Sequence, residues 1–420
     1  MSAIDLPSSR VAQPQLATMR LVGTASVAIG VFLSGFVIAE PAPYELWLAF
    51  LIGTWFVLGL KISRSVAPLL ALFLAFNVGG MLSITQMHDL TAGNHLDGPI
   101  YIAVSTFLAL SSVFYAAIVE DSERRLKLIF NTWVVAALIT ASLGILGYFH
   151  AVPGFDIFTR YDRAMGAFQD PNVFGPYLVT PSIYLMHGIL IGDLKKAPIK
   201  GICLFVLAFG VFLSFSRAAW ALFAFASMML IFCMLLKHRS NIFRLRILVM
   251  SLTAVILMVI LLVVALQFPQ VSDLFSTRTQ LVQSYDGGHL GRFERHSIGF
   301  MMSMERPLGI GPLVFGQIFR EDEHNTWLKT LTTYGWLGFF CWVSMICWTI
   351  YIGFRNLLKE RPWQPFVMIA WIVILGHVGI GNVIDTDHWR HLYMLIGIVW
   401  GCGALEQKYQ RSLSRREGAP

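Results

Sequence analysis

Charge is what this chain has least of. Only 13% of its 420 residues are charged, where soluble domains carry about 25%. Hydrophobic residues make up 56%, and the mean hydropathy is +0.66. Such a composition cannot cover a soluble surface, and it disfavours disorder and nucleic-acid binding. Cysteine is scarce as well. Cys203, Cys233, Cys341, Cys347 and Cys402 lie in apolar segments and form no C-x-x-C pair. That argues against a disulfide framework or a thiolate metal site, and the cysteines read as small buried hydrophobes. An internal repeat is also missing, which weighs against a transporter built from two related halves.

Long apolar runs are what the chain has in quantity. Leu21–Ala39, Ile247–Phe268 and Phe366–Ile380 are each long enough, or nearly so, to cross a hydrocarbon layer. Hydropathy predicts twelve spans near 21–39, 44–60, 66–86, 98–119, 128–149, 173–192, 199–214, 217–236, 247–268, 327–354, 366–383 and 391–405. The first 20 residues are polar and lack a signal-peptide plan, so the first run reads as an uncleaved anchor. The expected fold is all-α and polytopic. A cytoplasmic tail (1–20) precedes spans one to nine (21–268), a long outer loop (269–325), spans ten to twelve (326–405) and a second cytoplasmic tail (406–420).

Charge sets the expected orientation. With both termini cytoplasmic, the inner segments hold 21 Lys or Arg and 8 Asp or Glu, and the outer ones hold 10 and 16. That asymmetry follows the positive-inside rule. The net +7 therefore reports topology. Nine of the ten outer cations are arginine, and the tenth is Lys329. Arginine dominates where anionic oxygens are gripped in fork geometry.

Five outer segments could carry chemistry. Glu321-Asp322-Glu323-His324-Asn325-Thr326-Trp327 puts a histidine beside carboxylates at a span's start. It reads as a base near neutral pH, or as interfacial capping by Asn325 or Thr326. Upstream, Gly291-Arg292-Phe293-Glu294-Arg295-His296 opens a helical pattern in which Leu290, Phe293, Ser297, Phe300, Met301 and Met304 share one largely apolar face. That pattern predicts an interfacial helix, with a lid packed on the bundle as the plainer reading. Arg306-Pro307-Leu308-Gly309-Ile310-Gly311 is a turn-rich stretch that follows it.

Ser214-Phe215-Ser216-Arg217 places an arginine between two spans, on the side where topology does not call for one. Arg163 precedes Asp170-Pro171-Asn172, a helix-start signal. Asp385-Thr386-Asp387 has the D-x-D form of a metal–diphosphate site, but two acids at a helix start are also ordinary capping, which is the preferred reading.

Together these segments resemble a known family. His324-Asn325, nine residues, then Gly335-Trp336-Leu337-Gly338 is similar to the H-N-x9-G-x-x-G signature of O-antigen ligases and related polysaccharide polymerases. Ser216-Arg217, Gly291-Arg292 and Arg306-Pro-Leu-Gly-Ile-Gly match that family's order. The resemblance covers about residues 160–340 by motif and the whole chain by topology.

It implies a bacterial inner-membrane glycosyltransferase, multi-pass, acting on the periplasmic side without metal, ATP or other cofactor. The implied donor is a glycan on undecaprenyl diphosphate, and the acceptor is lipid A–core or a growing polysaccharide. By resemblance, His324 corresponds to the base, and Arg217 and Arg292 to the diphosphate-binding arginines. Arg163, Arg295, Arg306 and Asn325 follow as substrate-binding candidates. The first expectation is an O-antigen ligase. An O-antigen or exopolysaccharide polymerase shares every motif. A transporter of lipid-linked glycan would instead want charges buried mid-span and a repeat.

Overall fold

The computed structural model describes residues 12–59, 61–87, 97–279 and 291–417. Among them the chain forms helices α1 (Ala12–Leu33), α2 (Pro43–Val57), α3 (Ala67–Ile84), α4 (Asp97–Asp121), α5 (Arg124–Tyr148), α6 (Pro171–Ile191), α7 (Ala197–Leu213) and α8 (Arg217–Lys237). There follow α9 (Asn241–Ala265), α10 (Pro269–Thr279), α11 (Arg292–Glu305), α12 (Val314–Phe319), α13 (Thr326–Asn356), α14 (Gln364–Ile380) and α15 (Arg390–Glu417). Among the described residues strand structure is limited to a hairpin, with β1 (Thr159–Arg160) paired antiparallel to β2 (Arg163–Ala164). Its turn residues Tyr161 and Asp162 both have φ of 54°, as a two-residue primed turn requires.

The protein is an all-α polytopic membrane protein. Among the described residues, seven helices (α3, α4, α5, α6, α8, α9 and α13) are long and apolar enough to cross a membrane. Leu21–Leu33, α2, α7 and α14 are shorter apolar helices. All twelve expected runs fall on helices, and the apolar half of α15 (391–405) is almost wholly buried. Three ends differ from expectation. The first run, expected to 39, is helical only to Leu33. α1 begins at Ala12, ahead of the apolar run, and α15 continues to Glu417 through the expected tail. Glu406, Gln407, Lys408, Gln410 and Arg411 are strong helix formers, and Glu406 accepts from Gln410 one turn on at 2.7 Å. Residues 1–11, the loop part 280–290 with Leu290 of the proposed apolar face, and 418–420 lie outside the described residues. Of the cysteines, Cys233 and Cys402 are buried, while Cys347 faces outward from α13, where lipid would meet it.

Lipid gives apolar helices no hydrophobic reason to associate, so close backbone approach must hold them. α15 meets α4 through Gly401, where a Cβ would lie 2.7 Å from the Ala116 carbonyl and the Val119 side chain. At one end of the bundle, Lys359 and Arg361 bind Glu406 at 3.1 and 2.9 Å, and Arg246 donates to the Ile189 carbonyl at 2.7 Å. The opposite end gathers the hairpin, α11, α12 and the starts of α6, α8, α13 and α15. Every candidate residue is at that second end.

Candidate active site

The site is built around a break in α13. Gly335 sits inside this helix with φ 64° and ψ −172°, angles open essentially to glycine alone. Breaking a helix frees backbone groups that lipid cannot satisfy. The stretch after α11 supplies the partners. The Ile310 N–H donates to the Thr332 carbonyl at 2.8 Å, and the Pro307 carbonyl accepts from the Trp336 N–H at 3.0 Å. Ser83 of α3 donates to the Thr333 carbonyl at 2.5 Å. A Cβ on Gly335 would lie 2.6 Å from the Leu308 carbonyl carbon. The glycine of the signature is thus where the Arg306-Pro-Leu-Gly-Ile segment enters the bundle.

Eleven residues before the break, His324 has φ 49°, a left-handed conformation that costs a non-glycine residue about 1–2 kcal/mol. A carboxylate from the α14–α15 loop holds it there. Asp385 accepts from the His324 N–H at 3.2 Å and from the Asn325 N–H at 2.8 Å. Asn325 caps α13, its side-chain oxygen accepting from the Trp327 and Leu328 N–H groups at 3.1 and 3.0 Å. Thr326 completes the seam, donating its N–H to the Gly381 carbonyl at 2.7 Å and its hydroxyl to the Ile384 carbonyl at 2.9 Å. The His324 ring is half-buried, and no described residue hydrogen-bonds it.

Beneath the histidine lies a buried charge cluster that sequence reasoning missed. Lys329, 7% exposed, reaches Asp385 at 3.4 Å and Asp322 at 3.6 Å. Glu323, 4% exposed, accepts from the Thr332 hydroxyl at 2.6 Å. Burial pushes the Glu323 carboxyl up from its ordinary range, and Lys329 offsets this only in part. Asp385 is likewise raised by burial, with Lys329 pulling the other way. Asp387 is different. Burial opposes its charge, but the His388 ring at 2.9 Å, Lys329 and the Tyr101 hydroxyl at 2.9 Å hold it down at about 2. The two acids of the D-x-D stretch thus share the field of Lys329 but take different hydrogen-bond partners. Among the described residues no group of three or more His, Cys, Asp or Glu could hold a metal ion. One signal for this cluster was present in the sequence. Lys329 is a lone lysine just inside a span, and an ionisable residue there is a functional candidate by default.

The arginines divide by environment. Arg163 is 5% exposed, and it donates from Nε to the Ser214 carbonyl and from Nη2 to the Asn172 side chain, both at 2.7 Å. It braces the turn that delivers Arg217, the first residue of α8, whose N-cap Ser216 accepts from the Ala219 N–H at 3.4 Å. Asp170 caps α6, accepting from the Asn172 N–H at 2.6 Å, as the Asp-Pro-Asn signal predicts. Arg295 is buried at 5% exposure and ion-paired with Glu321. Arg292 opens α11 and Arg306 closes it, both half-exposed. The neighbouring His296 bonds the Glu323 carbonyl at 2.7 Å, and burial lowers its pKa.

α11 lies opposite to soluble-protein habit. Arg295, Gly299 and Ser303 face inward against α13, while Phe293, Phe300, Met301 and Met304 point out. The apolar face is the free one, as an interfacial helix requires.

The structure joins His324, Asn325 and Arg295 around the start of α13, and Arg163 and Arg217 around the start of α8. Arg292 and Arg306 bracket α11 between them in sequence. Residues 202–343 match the family model described as O-antigen ligase. Over those residues the chain is similar to the O-antigen ligase family. The matched stretch runs from α7 into α13 and contains Arg217, Arg292, Arg295, Arg306, His324, Asn325 and both signature glycines. Arg163 and Asp385, which brace two of those residues, lie outside it. No curated protein matches the chain. That match supports an O-antigen ligase- or polymerase-like membrane enzyme.

Proposed function

We propose that this enzyme is an O-antigen ligase, moving a glycan from undecaprenyl diphosphate to a hydroxyl of lipid A–core. The transfer takes place at the periplasmic face of the inner membrane, with both termini cytoplasmic. The observation that carries the reading is the seat of His324. A left-handed histidine, clamped through its main chain by Asp385 with its ring left unbonded by described residues, is a base presented to something outside the chain. His324 takes the acceptor hydroxyl's proton as that oxygen attacks the anomeric carbon. The sugar–phosphate bond breaks on the opposite face through an oxocarbenium-like state, and the configuration inverts. The leaving group departs as undecaprenyl diphosphate, its charge met by Arg217 and Arg292, with Arg306 on the path of the glycan. Guanidinium groups can neutralise it without a metal ion or ATP. In this reading Arg163, Arg295 and Asn325 act on substrate indirectly, by holding the turn, the loop and the helix start.

The test is deletion of the gene followed by electrophoresis of surface polysaccharides. Loss of all O-chain from lipid A–core, with lipid-linked polymer accumulating, is the expected result. A single repeat retained on the core would make the enzyme a polymerase, and intact lipopolysaccharide with missing exopolysaccharide would change the acceptor. Reporters fused after Gln267 and after His238 should read periplasmic and cytoplasmic respectively, and the reverse at both would overturn the sidedness.

A further inference from the structure

At the other end of the bundle, where α13 finishes, a groove of about 490 Å³ opens between the start of α3, the end of α13 and the late part of α15. It is separated from His324 by α13, whose unbroken part after Gly335 alone runs roughly 30 Å at 1.5 Å per residue. Arg64, Arg355 and Arg411 line it. Its one lining carboxylate, Glu406, is already bound to Lys359 and Arg361. Among the described residues none of those three arginines has a carboxylate partner. Arg355 touches only the Tyr351 hydroxyl, at 3.4 Å, and Arg411 only the Gln407 side chain, at 3.4 Å.

We propose that this groove binds the headgroup of an anionic glycerophospholipid from the adjoining leaflet. Three guanidiniums without counter-charge suit a phosphodiester, which they can grip in fork geometry. The groove wall continues outward as Trp348, Tyr351 and Phe354, which are 43%, 55% and 65% exposed on one side of α13. Aromatic rings at this depth mark the headgroup level of a bilayer, and beyond them the acyl chains have an apolar helix to lie on. Asn356 adds a third requirement. It is 6% exposed and lines the groove, and its amide nitrogen is used on the Ile352 carbonyl at 2.8 Å. Its side-chain oxygen is buried without a donor. A buried acceptor left unmet is costly, and a headgroup hydroxyl would satisfy it. Phosphate and hydroxyl together describe a glycerol headgroup. A choline headgroup brings a cation toward three arginines and no hydroxyl.

The experiment titrates the full-length protein, in nanodiscs of phosphatidylcholine, with fluorescent phosphatidylglycerol. Saturable binding at one site is expected, and unlabelled phosphatidylglycerol should displace the probe. Removing two charges, Arg64→Gln with Arg355→Gln, should weaken binding on the order of 25-fold, at about fivefold per cation near a membrane surface. The matched Lys pair keeps the charge but not the fork, so its affinity should fall between the parent and the Gln pair. Asn356→Leu should erase the preference for phosphatidylglycerol over phosphatidic acid, which lacks the hydroxyl. Each variant is first shown to be monodisperse with an unchanged melting temperature, and the Lys pair serves in place of the Gln pair if the latter misfolds. Unchanged affinity in the folded Gln pair would overturn the proposal, as would equal displacement by phosphatidylcholine. Displacement by free glycerol phosphate at the same concentration would make this a site for soluble phosphates, and displacement by an acidic peptide alone would make it a protein contact.

Discussion

Replacing Asp385 by asparagine tests whether the seat of His324 matters to its chemistry. The carboxylate accepts two main-chain N–H groups and faces the Lys329 ammonium at 3.4 Å. An asparagine offers one oxygen, so one N–H loses its acceptor, and the new NH2 group is turned toward a cation. A hydrogen bond to a charged group contributes about 1.5–3 kcal/mol. The left-handed turn of His324 costs about 1–2 kcal/mol, so the loss is enough to let the backbone relax. At about 1.4 kcal/mol per tenfold, the productive conformer should fall by about 10- to 100-fold. The assay is transfer from lipid-linked glycan to acceptor in membranes matched for enzyme abundance. The expected result is a kcat reduced by that factor, donor KM near normal and no rescue by added magnesium or manganese. A kcat within twofold of the parent, at equal abundance, would refute the clamp. Rescue by a divalent cation would return the D-x-D stretch to metal binding.

Other expectations follow from the same geometry. His324→Ala should slow transfer by about 10²–10⁴-fold with little change in donor binding, whereas Arg217→Ala should weaken both and Arg217→Lys should remain poor despite its charge. Near-normal turnover in His324→Ala would leave that residue a capping element. Gly335→Ala should prevent accumulation of folded protein, because its angles and the Leu308 contact at 2.6 Å both exclude a Cβ; size-exclusion chromatography showing a normal monodisperse peak would contradict this. Burial raises the Glu323 pKa in the fold above its unfolded value, so the fold binds that proton more tightly and the group's contribution to stability is lost as pH rises through the folded value. Glu323→Gln should therefore flatten the fall in melting temperature as pH rises from its ordinary value of 4.5 to about 7, and an unchanged slope there would rule the assignment out.

The membrane-spanning helices were legible because lipid imposes a length and a composition that show in a single chain. His324 and Gly335 were legible from their spacing. The reason for that spacing was not, since the partner of the Gly335 break is a segment that reads only as turn-rich. Asp385 lies 60 residues from the N–H groups it holds, and no local pattern joins them. The D-x-D stretch reads as capping acids, whereas Asp385 holds the main chain of His324 and Asn325, and Asp387 takes Tyr101 and His388. Helical period separated Arg295 from the apolar face of α11, but only packing against α13 reveals that the polar side turns inward. Glu323 stood in the sequence only as one of the carboxylates beside the histidine, and its burial comes with the Thr332 contact nearly two turns into α13.

The break in α13 also bears on the order in which this protein is assembled. A lone segment entering the bilayer has nothing to receive the groups that the Gly335 bend releases, and unmet backbone groups in hydrocarbon cost several kcal/mol each. The segment must therefore insert as a continuous helix. It can bend only when α3 brings Ser83 and the 306–310 segment brings its own N–H and carbonyl groups. Those pieces come from opposite halves of the chain. The register between the membrane-embedded length of α13 and the short arm bearing the histidine is thus set after insertion. A newly made chain can be fully embedded in the bilayer before it has an active centre.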